Sequence, residues 1–344
     1  MPTTIFYRKA DFQAKSRHDL DESTLDYFIR KLANDFFHKK ATRLKAHTPG
    51  TYHYLYRILF DSEEYFIKIS KFKELRHSLL LENYVYRTIL DPLGLGLTIK
   101  AFDISCETYP FPFMILRKAE GICLRQVDMN ASGFPDIIEN LGKVVARYHS
   151  LTLPATGFGL IDGEALFQGG QPKGLSSSWL DYFCLNLEDH LHFAYGHKVI
   201  DGEERSFIQS VFRECRGLIH TENLPSLLHG DLGTHNVFVD LSTLTIKSII
   251  DWEDALLGDP VFDIAMFASF YRMHEFLDSF LKGYQSFKTI VDDSFDLKFW
   301  IYYLRIAITK SVLRVRLGYD RAGESPSIQK IKLARENLKK YMGR

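Results

Sequence analysis

The stretch HGDLGTHNVFVDLSTLTIKSIIDWED, residues 229–254, decides the fold of this chain. Within it, VFVD and TIKSII are short runs rich in β-branched residues, separated by four residues, and this pattern predicts a β-hairpin. A hairpin returns the chain to its starting point, so Asp251, after the second run, should lie beside Asp231 and Asn236, before the first. The sequence therefore predicts two carboxylates and one amide at one end of a hairpin.

These three side chains suit phosphoryl transfer. Moving a γ-phosphoryl group needs little covalent help from protein, but it needs a carboxylate that orients the attacking hydroxyl and Mg²⁺ held by oxygen ligands. We expect Asp231 to orient the hydroxyl and accept its proton, and Asn236 and Asp251 to hold Mg²⁺. Bare carboxylates beside a triphosphate would repel it by about 4 kcal/mol for each unit-charge pair at 4 Å and an effective dielectric of 20, so bound cations belong to the prediction.

The two motifs resemble those of a known family, the aminoglycoside phosphotransferases, and within it the hygromycin B kinases. HGDLGTHN fits the family signature HGDxxxxN, and IDWEDALLGDPVFDIA resembles the second signature, with Asp251 at the metal-binding position. The resemblance extends from about residue 45 to 270. It implies an α+β, bilobal protein-kinase-like fold: a small antiparallel-sheet lobe (1–115), a hinge (116–121) and a mainly helical catalytic and substrate-binding lobe (122–344).

The resemblance also implies a nucleotide site in the first lobe. Kinase-like folds place a strand lysine on the α and β phosphates and orient it with a glutamate from a helix. Lys68 lies near the end of the strand-like run YFIKI, and Glu82 follows 14 residues later in a helical stretch. Lys68 as a solvated strand residue and Glu82 as a surface acid are the alternative reading.

Two further segments complete the predicted nucleotide site. LRKAEG resembles the connector between the lobes, which implies that backbone groups of Arg117 and Ala119 hydrogen-bond adenine. TPGTYHY, with one glycine, stands where the family has its phosphate-covering loop, and backbone amides near Gly50 and Thr51 are expected to approach the phosphates. The nucleotide is expected to be ATP, with GTP as the alternative.

Composition excludes several other classes of protein. The 344 residues contain 43 Lys plus Arg and 43 Asp plus Glu, so no global charge attracts nucleic acid or an anionic membrane. Four scattered cysteines without a CxxC pair argue against a zinc knot or a disulfide scaffold. No apolar run approaches a membrane span, and the first residues lack the pattern of a signal peptide. We expect a cytoplasmic monomer or homodimer that binds neither nucleic acid nor membrane.

The pattern around the motifs predicts the remaining elements. Ser23 and Thr24 are placed to cap a first helix, a hairpin follows from Thr51, a second helix runs roughly from 75 to 90, and FPFMIL predicts a buried strand. Beyond Gly121 the chain is expected to be mostly helical apart from the catalytic hairpin, with the GFG and GGQPKG segments in a loop.

Several charged residues near the motifs have a structural reading. His229 is expected to hold the catalytic loop by hydrogen bonds rather than to bind zinc, and Asp259 and Asp263 to cap the following helix. Glu253 and Asp254 stay undecided between site and surface.

Other polar groups could touch the acceptor or be ordinary surface. The acids Asp181, Glu188 and Asp189 could hold an amine-bearing acceptor, although solvated helix acids are commoner. The cluster around His190 is equally compatible with core and with acceptor binding, and the basic last helix is expected to be a solvated face.

The resemblance implies an ATP-dependent, Mg²⁺-dependent O-phosphotransferase acting on a small-molecule hydroxyl. An aminoglycoside or aminocyclitol antibiotic, a cationic acceptor, is the first expectation, with antibiotic resistance as the role. A metabolic kinase of the choline, ethanolamine or sugar type is the alternative, and a non-catalytic nucleotide-binding module is the third. Only seven residues separate Asp251 from Asp259, too few for the ordered segment with which protein kinases present a peptide.

Overall fold

The computed structural model describes residues 21–38, 43–46, 53–60, 63–72, 76–219, 224–321 and 326–343. Its helices are α1 (Glu22–Phe37), α2 (Arg76–Tyr84), α3 (Phe134–His149), α4 (Gly163–Phe167), α5 (Trp179–Phe183), α6 (Leu187–Gly196), α7 (Gly202–Glu214), α8 (Arg216–Ile219), α9 (Val261–Ala268), α10 (Leu277–Gln285), α11 (Phe295–Arg316) and α12 (Ser327–Tyr341). Its strands are β1 (Arg43–Ala46), β2 (His53–Phe60), β3 (Glu63–Ser70), β4 (Ile99–Asp103), β5 (Phe113–Arg117), β6 (Ile122–Cys123), β7 (Phe158–Ile161), β8 (Gly174–Ser176), β9 (Ser226–Leu228), β10 (Val237–Asp240), β11 (Thr245–Ile249) and β12 (Leu256–Gly258).

The first five strands form one antiparallel sheet in the order β1-β2-β3-β5-β4. Successive side chains of a strand point to opposite faces. In β3, Ile67 and Ile69 therefore pack with Leu32 of α1 in one buried cluster, and Lys68 points to the other face. The sheet thus carries a core on one face and presents Lys68 on the face that meets the rest of the protein.

The first helix begins earlier than the sequence pattern suggested. Asp21 is its N-cap, and its carboxylate accepts the N–H of Thr24 at 2.6 Å. The prediction of Ser23 and Thr24 as caps was wrong because a third oxygen-bearing residue precedes them, and the Ser23 hydroxyl instead donates to that Asp21 carboxylate.

The second helical stretch exists where predicted but changes its winding. It begins as α2, continues as a π-helical segment (Val85–Leu90) and ends in a 3₁₀ turn that contains Pro92. Leu79 and Val85 are fully buried and join the core of the larger, helical part of the chain. The stretch therefore packs between the sheet and that larger core, which places Glu82 between them.

The larger part is mostly helical, as expected, and contains two small sheets. One consists of β11, β10 and β6, and it includes the predicted hairpin. The other, with the order β8-β7-β12-β9, was not predicted, and its strand β7 begins within the GFG segment assigned to a loop. The prediction failed because glycine weakens strand propensity, whereas Gly159, at φ +83°, gives β7 room to cross the ring of Tyr182.

Helix α11 runs through the middle of this larger core. It spans 22 residues, contacts α6, α9 and α12, and buries residues on most of its circumference. Within the residues that the structure describes, no helix combines the length and apolar character needed to cross a bilayer.

Candidate active site

The loop before β10 is held by His229. Its ring Nε2 lies 2.9 Å from the carbonyl of Ile250, and the N–H of Asp231 donates to Nδ1 at 3.2 Å. The two partners together require a neutral ring with the proton on Nε2. His229 therefore ties the loop to the end of β11, in agreement with the prediction that it acts by hydrogen bonds.

Gly230 is required by the backbone of this loop. Its φ is +84°, and a Cβ at this position would lie 2.1 Å from the carbonyl oxygen of Asp254. A side chain would both strain the backbone and clash with a neighbouring segment. The second position of the HGD motif is thus fixed by the approach of two backbones.

Asp263 anchors the same loop from α9. Its Oδ2 accepts the N–H of His229 at 2.7 Å, and its Oδ1 accepts the N–H of Gly230 at 3.0 Å. The side chain is fully buried and also accepts from Tyr148, at 3.0 Å, and from His149, at 3.2 Å. The structural role predicted for Asp263 holds, but the capping role was wrong, because the carboxylate points back to the loop rather than to its own helix. Asp259 does accept the N–H of Val261 at the start of α9, at 3.0 Å.

The hairpin brings together the three residues on which the chemical prediction rests. The Asn236 amide donates to the carbonyl of Asp231 at 3.0 Å, and the N–H of Ile250, the neighbour of Asp251, donates to the carbonyl of Asn236 at 2.8 Å. Asp251 has left-handed backbone angles, and its N–H donates to the hydroxyl of Tyr86 at 3.1 Å. Asp231, Asn236 and Asp251 therefore lie at one end of the hairpin, where Asn236 is bonded both to Asp231 and to the residue before Asp251.

Asp231 lies between two nitrogen-bearing side chains. Its Oδ1 is 3.5 Å from Nζ of Lys310, and its Oδ2 is 3.4 Å from Nε2 of His235. Burial alone would raise the pKa of Asp231, but the charge of Lys310 and the hydrogen bond from His235 hold the pKa well below its usual range. The carboxylate is thus ionised at neutral pH, and it keeps about a third of its surface exposed for a further partner.

Lys68 lies at the centre of an acidic cluster. Its Nζ is 2.7 Å from Glu82, 2.7 Å from Asp251 and 2.8 Å from Glu253. The predicted pairing of Lys68 with Glu82 is present, and the reading of these two residues as solvated surface groups was wrong, because both are buried. Burial lowers the pKa of Lys68, but the charges of Asp251, Glu253 and Glu82 more than reverse this effect and raise it well above its usual value.

Glu253, left undecided from the sequence, belongs to this cluster. Its side chain is 11% exposed and lies 2.9 Å from Nδ1 of His53 in addition to its contact with Lys68. Burial would raise the pKa of Glu253, and His53 and Lys68 instead hold it well below its usual range. The one signal in the sequence was the position of Glu253 two residues after Asp251, and none pointed to His53.

The donor set at this end of the hairpin fits a divalent cation. Single oxygens of Glu82, Asp251 and Glu253 lie within 4.8 Å of one another, and three carboxylates around one ammonium leave negative charge unbalanced. The side chain of Asp251 is 43% exposed, and the buried Asn236 turns its amide nitrogen to Asp231, which leaves its oxygen for another partner. A carboxylate and an amide oxygen are ligands that Mg²⁺ accepts.

The remaining predicted nucleotide residues lie at or beyond the edge of what is described. Arg117 is the last residue of β5, and its N–H donates a hydrogen bond to the carbonyl of Thr98 at 2.9 Å. Ala119 is buried two residues later and makes no backbone hydrogen bond among the described residues. Gly50 and Thr51 lie outside the described residues.

Two of the other candidate acceptor residues, Glu188 and His190, have partners elsewhere. Glu188 accepts from Gln209 at 2.8 Å and lies 3.9 Å from Arg205 on α7, away from the hairpin. His190 is buried, with its Nδ1 3.1 Å from a guanidinium nitrogen of Arg305, so it belongs to the core.

Comparisons with known proteins agree with this geometry. The profile of the phosphotransferase enzyme family (APH) matches residues 43–296, well over half of the 344 residues. Hygromycin-B 4-O-kinase of Escherichia coli is 25% identical over 189 residues, an alignment that covers 54% of this chain and 50% of that protein. The chain thus aligns with about half the length of this curated relative.

Solved structures of low sequence identity share the fold. A thermostable mutant of aminoglycoside phosphotransferase APH(4)-Ia, in ternary complex with AMP-PNP and hygromycin B, superposes with a TM-score of 0.61 at 16% identity, covering 92% of this chain and 98% of that chain. A putative fructosamine-3-kinase from Thermobifida fusca YX-ER1 gives 0.60 at 15% identity, covering 92% and 99%. The predicted α+β, bilobal protein-kinase-like fold is confirmed, as is the resemblance to the hygromycin B kinases.

Proposed function

Because this chain belongs to the phosphotransferase enzyme family, we propose that it transfers the γ-phosphoryl group of ATP to a hydroxyl of a small molecule. The observation that carries the proposal is the chain of contacts from Asp231 to Asn236, through the backbone of Ile250 to its neighbour Asp251, and on to Lys68 and Glu82. Phosphoryl transfer depends on positioning and charge rather than on covalent chemistry, and these five residues supply both.

Each residue has a distinct part in the proposed reaction. Asp231 accepts a hydrogen bond from the acceptor hydroxyl, aligns its oxygen with the γ-phosphorus and takes the proton as the new P–O bond forms and the bond to the β-phosphate oxygen breaks. Lys68, held by Glu82, contacts the α and β phosphates. Asn236 and Asp251 would hold Mg²⁺, which when bound neutralises charge on the phosphates. The products are a phosphate monoester and ADP.

The nucleotide is proposed to bind between two lobes, 1–115 and 122–344, with residues 116–121 as the hinge. In support, the backbone of Ala119 makes no hydrogen bond among the described residues and is available for an adenine edge. The N–H of Arg117 is engaged with Thr98, so the carbonyl is the group of Arg117 left for this purpose. Gly50 and Thr51 are proposed to cover the phosphates, and GTP is the alternative donor.

An aminoglycoside or aminocyclitol is the first acceptor to test, because the curated relative carries the name hygromycin-B 4-O-kinase and the APH(4)-Ia complex contains hygromycin B. A kinase for a sugar-type metabolite is the second candidate, since the putative fructosamine-3-kinase has the same fold. A choline or ethanolamine kinase and a non-catalytic nucleotide module complete the set of rivals.

The deciding experiment is a phosphorylation assay of the purified protein with radiolabelled ATP, MgCl₂ and a panel of aminocyclitols, sugars and amino alcohols. Transfer of label to one class of acceptor, abolished when EDTA replaces MgCl₂, would establish the proposal. Nucleotide binding without transfer to any acceptor would refute it and favour the non-catalytic module.

A further inference from the structure

The acceptor side of Asp231 carries a partly buried lysine that the reaction scheme does not use. Lys310 extends from α11 with 17% of its side chain exposed, and its Nζ lies 3.6 Å from the centre of the Phe270 ring and 3.5 Å from Oδ1 of Asp231. The ring fixes the ammonium through a cation–π contact, so its position beside the carboxylate is well defined. No carboxylate other than Asp231 pairs with Lys310 in the part of the chain that the structure describes.

Further positive charge lies behind Lys310. Arg314 follows one turn later on α11. Its guanidinium donates two hydrogen bonds, of 2.8 and 2.7 Å, to the carboxylate of Asp320, which neutralises its charge. Lys330, on α12, is half-buried, and burial together with the charges of Lys310 and Arg314 lowers the pKa of Lys330 to about 8. On the acceptor side, Lys310 therefore balances the charge of Asp231 and the half-buried Lys330 lies behind it, whereas on the nucleotide side three carboxylates surround Lys68.

This arrangement constrains the group next to the reacting hydroxyl. For proton transfer, the hydroxyl oxygen must come within about 3 Å of Asp231. A substituent on the adjacent carbon then comes close to the Lys310 ammonium, which lies 3.5 Å from that carboxylate. An oxygen substituent can accept a hydrogen bond from Lys310, whereas an ammonium substituent cannot, and Asp231 is already paired with Lys310.

We propose that Lys310 is a specificity-determining residue that holds an uncharged or anionic oxygen of the acceptor beside the hydroxyl to be phosphorylated. The inference rests on the proposed function and deepens it: the enzyme modifies a hydroxyl whose neighbouring carbons carry oxygen, not an amino group. In a polycationic aminocyclitol, this selects hydroxyls remote from the ammonium groups.

The test maps the product. Each aminocyclitol, sugar or polyol that the wild-type enzyme phosphorylates is analysed by two-dimensional ³¹P–¹H NMR to locate the phosphate, and kcat/KM is measured for acceptor pairs that differ only in an amino or hydroxyl group beside the modified position. We expect the phosphate on carbons without an amino neighbour and at least a tenfold preference for the hydroxyl member of each pair.

Variants assign the preference to Lys310. In Lys310→Met the preference should shrink at least fivefold, in Lys310→Arg it should persist, and in the matched surface control Lys282→Met it should not change. Phosphate beside an amino group, or the same preference in Lys310→Met as in the wild type, would overturn the inference and leave the proposed function standing. No transfer to any acceptor would overturn both. If Lys310→Met does not fold, as judged by nucleotide binding, the wild-type product map still decides.

Discussion

The proposed reaction places two opposite requirements on the pKa of Asp231. The carboxylate must be ionised to receive the acceptor hydroxyl, and it must take a proton as transfer proceeds. Lys310 and His235 keep its pKa low, which favours orientation of the hydroxyl over early removal of the proton. This balance suits phosphoryl transfer with a loose transition state, in which the proton leaves late.

Asp231→Asn should abolish transfer and leave nucleotide affinity nearly unchanged, because an amide can orient the hydroxyl but cannot take its proton. We expect kcat to fall by about 10³-fold or more, with the dissociation constant of ADP within about threefold of wild type by calorimetry. The surface variant Asp136→Asn is the control. Equal losses in kcat and in nucleotide affinity would contradict the role given to Asp231.

Lys68→Met tests the acidic cluster. The substitution leaves three carboxylates within 4.8 Å of one another and removes the ammonium between them. Removal of one partner from a buried ion pair costs about 3–5 kcal/mol, so we expect a matching loss in the free energy of unfolding from urea titration, together with loss of transfer. Adding Glu253→Gln should restore part of that stability by removing one repelling charge. If the changes in the free energy of unfolding caused by Lys68→Met and by Glu253→Gln are additive in the double variant, Glu253 does not interact with Lys68.

Part of this site could be predicted from the sequence, and the other residues were identified only in the structure. The pairing of Lys68 with Glu82 could be foreseen because the resemblance implied a strand lysine held by a helical glutamate, and the predicted strand and helix placed these two residues accordingly. Lys310 could not, because it lies more than 70 residues after Asp231 on another element. Its one signal was a charge within a long helix rich in apolar residues, a feature that Lys310 shares with Arg305, and such a charge needs a partner that the sequence does not name.

At the scale of elements, the site is a hairpin supported by a helix. β10 and β11 align Asn236 and Asp251, and α9 holds the preceding loop through Asp263. The hairpin was predictable because both strands are rich in β-branched residues and lie close together in the sequence. The strands of the four-stranded sheet were not, because they have three or four residues each and pair over long sequence separations, as in β7 with β12.

Asp263→Asn should loosen the catalytic loop. An amide has one oxygen, so the N–H of either His229 or Gly230 would face an NH₂ group and lose its acceptor. An unsatisfied buried donor costs about 1–3 kcal/mol, and the loss of the buried charge adds to that. We therefore expect about 2–4 kcal/mol less stability in urea unfolding, with a lower kcat. Asp136→Asn on the surface of α3 should change stability by less than about 0.5 kcal/mol. A variant as stable as wild type would show that Asp263 is not the anchor.

At the scale of the whole molecule, the formal net charge is zero, but the charged residues are unevenly distributed around the site. The 43 basic and 43 acidic residues cancel, but three carboxylates surround Lys68, whereas Asp231 is paired with a single cation, Lys310. The basic last helix contributes to this uneven distribution rather than being a fully solvated face. Arg335 pairs with Glu203 and Lys339 lies over the ring of Phe207, and Lys330, whose pKa burial lowers, is close enough to Lys310 and Arg314 of α11 for their charges to lower it further. The composition could not reveal this distribution, because it depends on which charges the fold brings together.

Stability should fall as pH drops from about 6.5, and His149 should account for part of the slope. Burial lowers the pKa of His149, despite its hydrogen bond to Asp263, so the ring is neutral in the fold and donates from Nε2 to Asp263 while Tyr284 donates to Nδ1. The unfolded chain binds a proton here below about pH 6.5 and the folded chain does not. Stability is therefore lost as pH falls toward the folded pKa, by at most about 1.4 kcal/mol per pH unit for one proton.

The prediction can be isolated with His149→Gln, which keeps a donor for Asp263 and cannot titrate. This variant should be less stable than wild type at pH 7.5 because the smaller amide leaves packing unfilled beside Tyr284, but its free energy of unfolding should change less between pH 7 and pH 5. His77, whose pKa burial also lowers, contributes to the slope in both proteins and does not affect the difference. Urea titrations at four pH values measure both slopes. Parallel slopes would mean that His149 is already protonated in the fold, and the loop anchored by Asp263 would then be held by an ion pair rather than by a neutral donor.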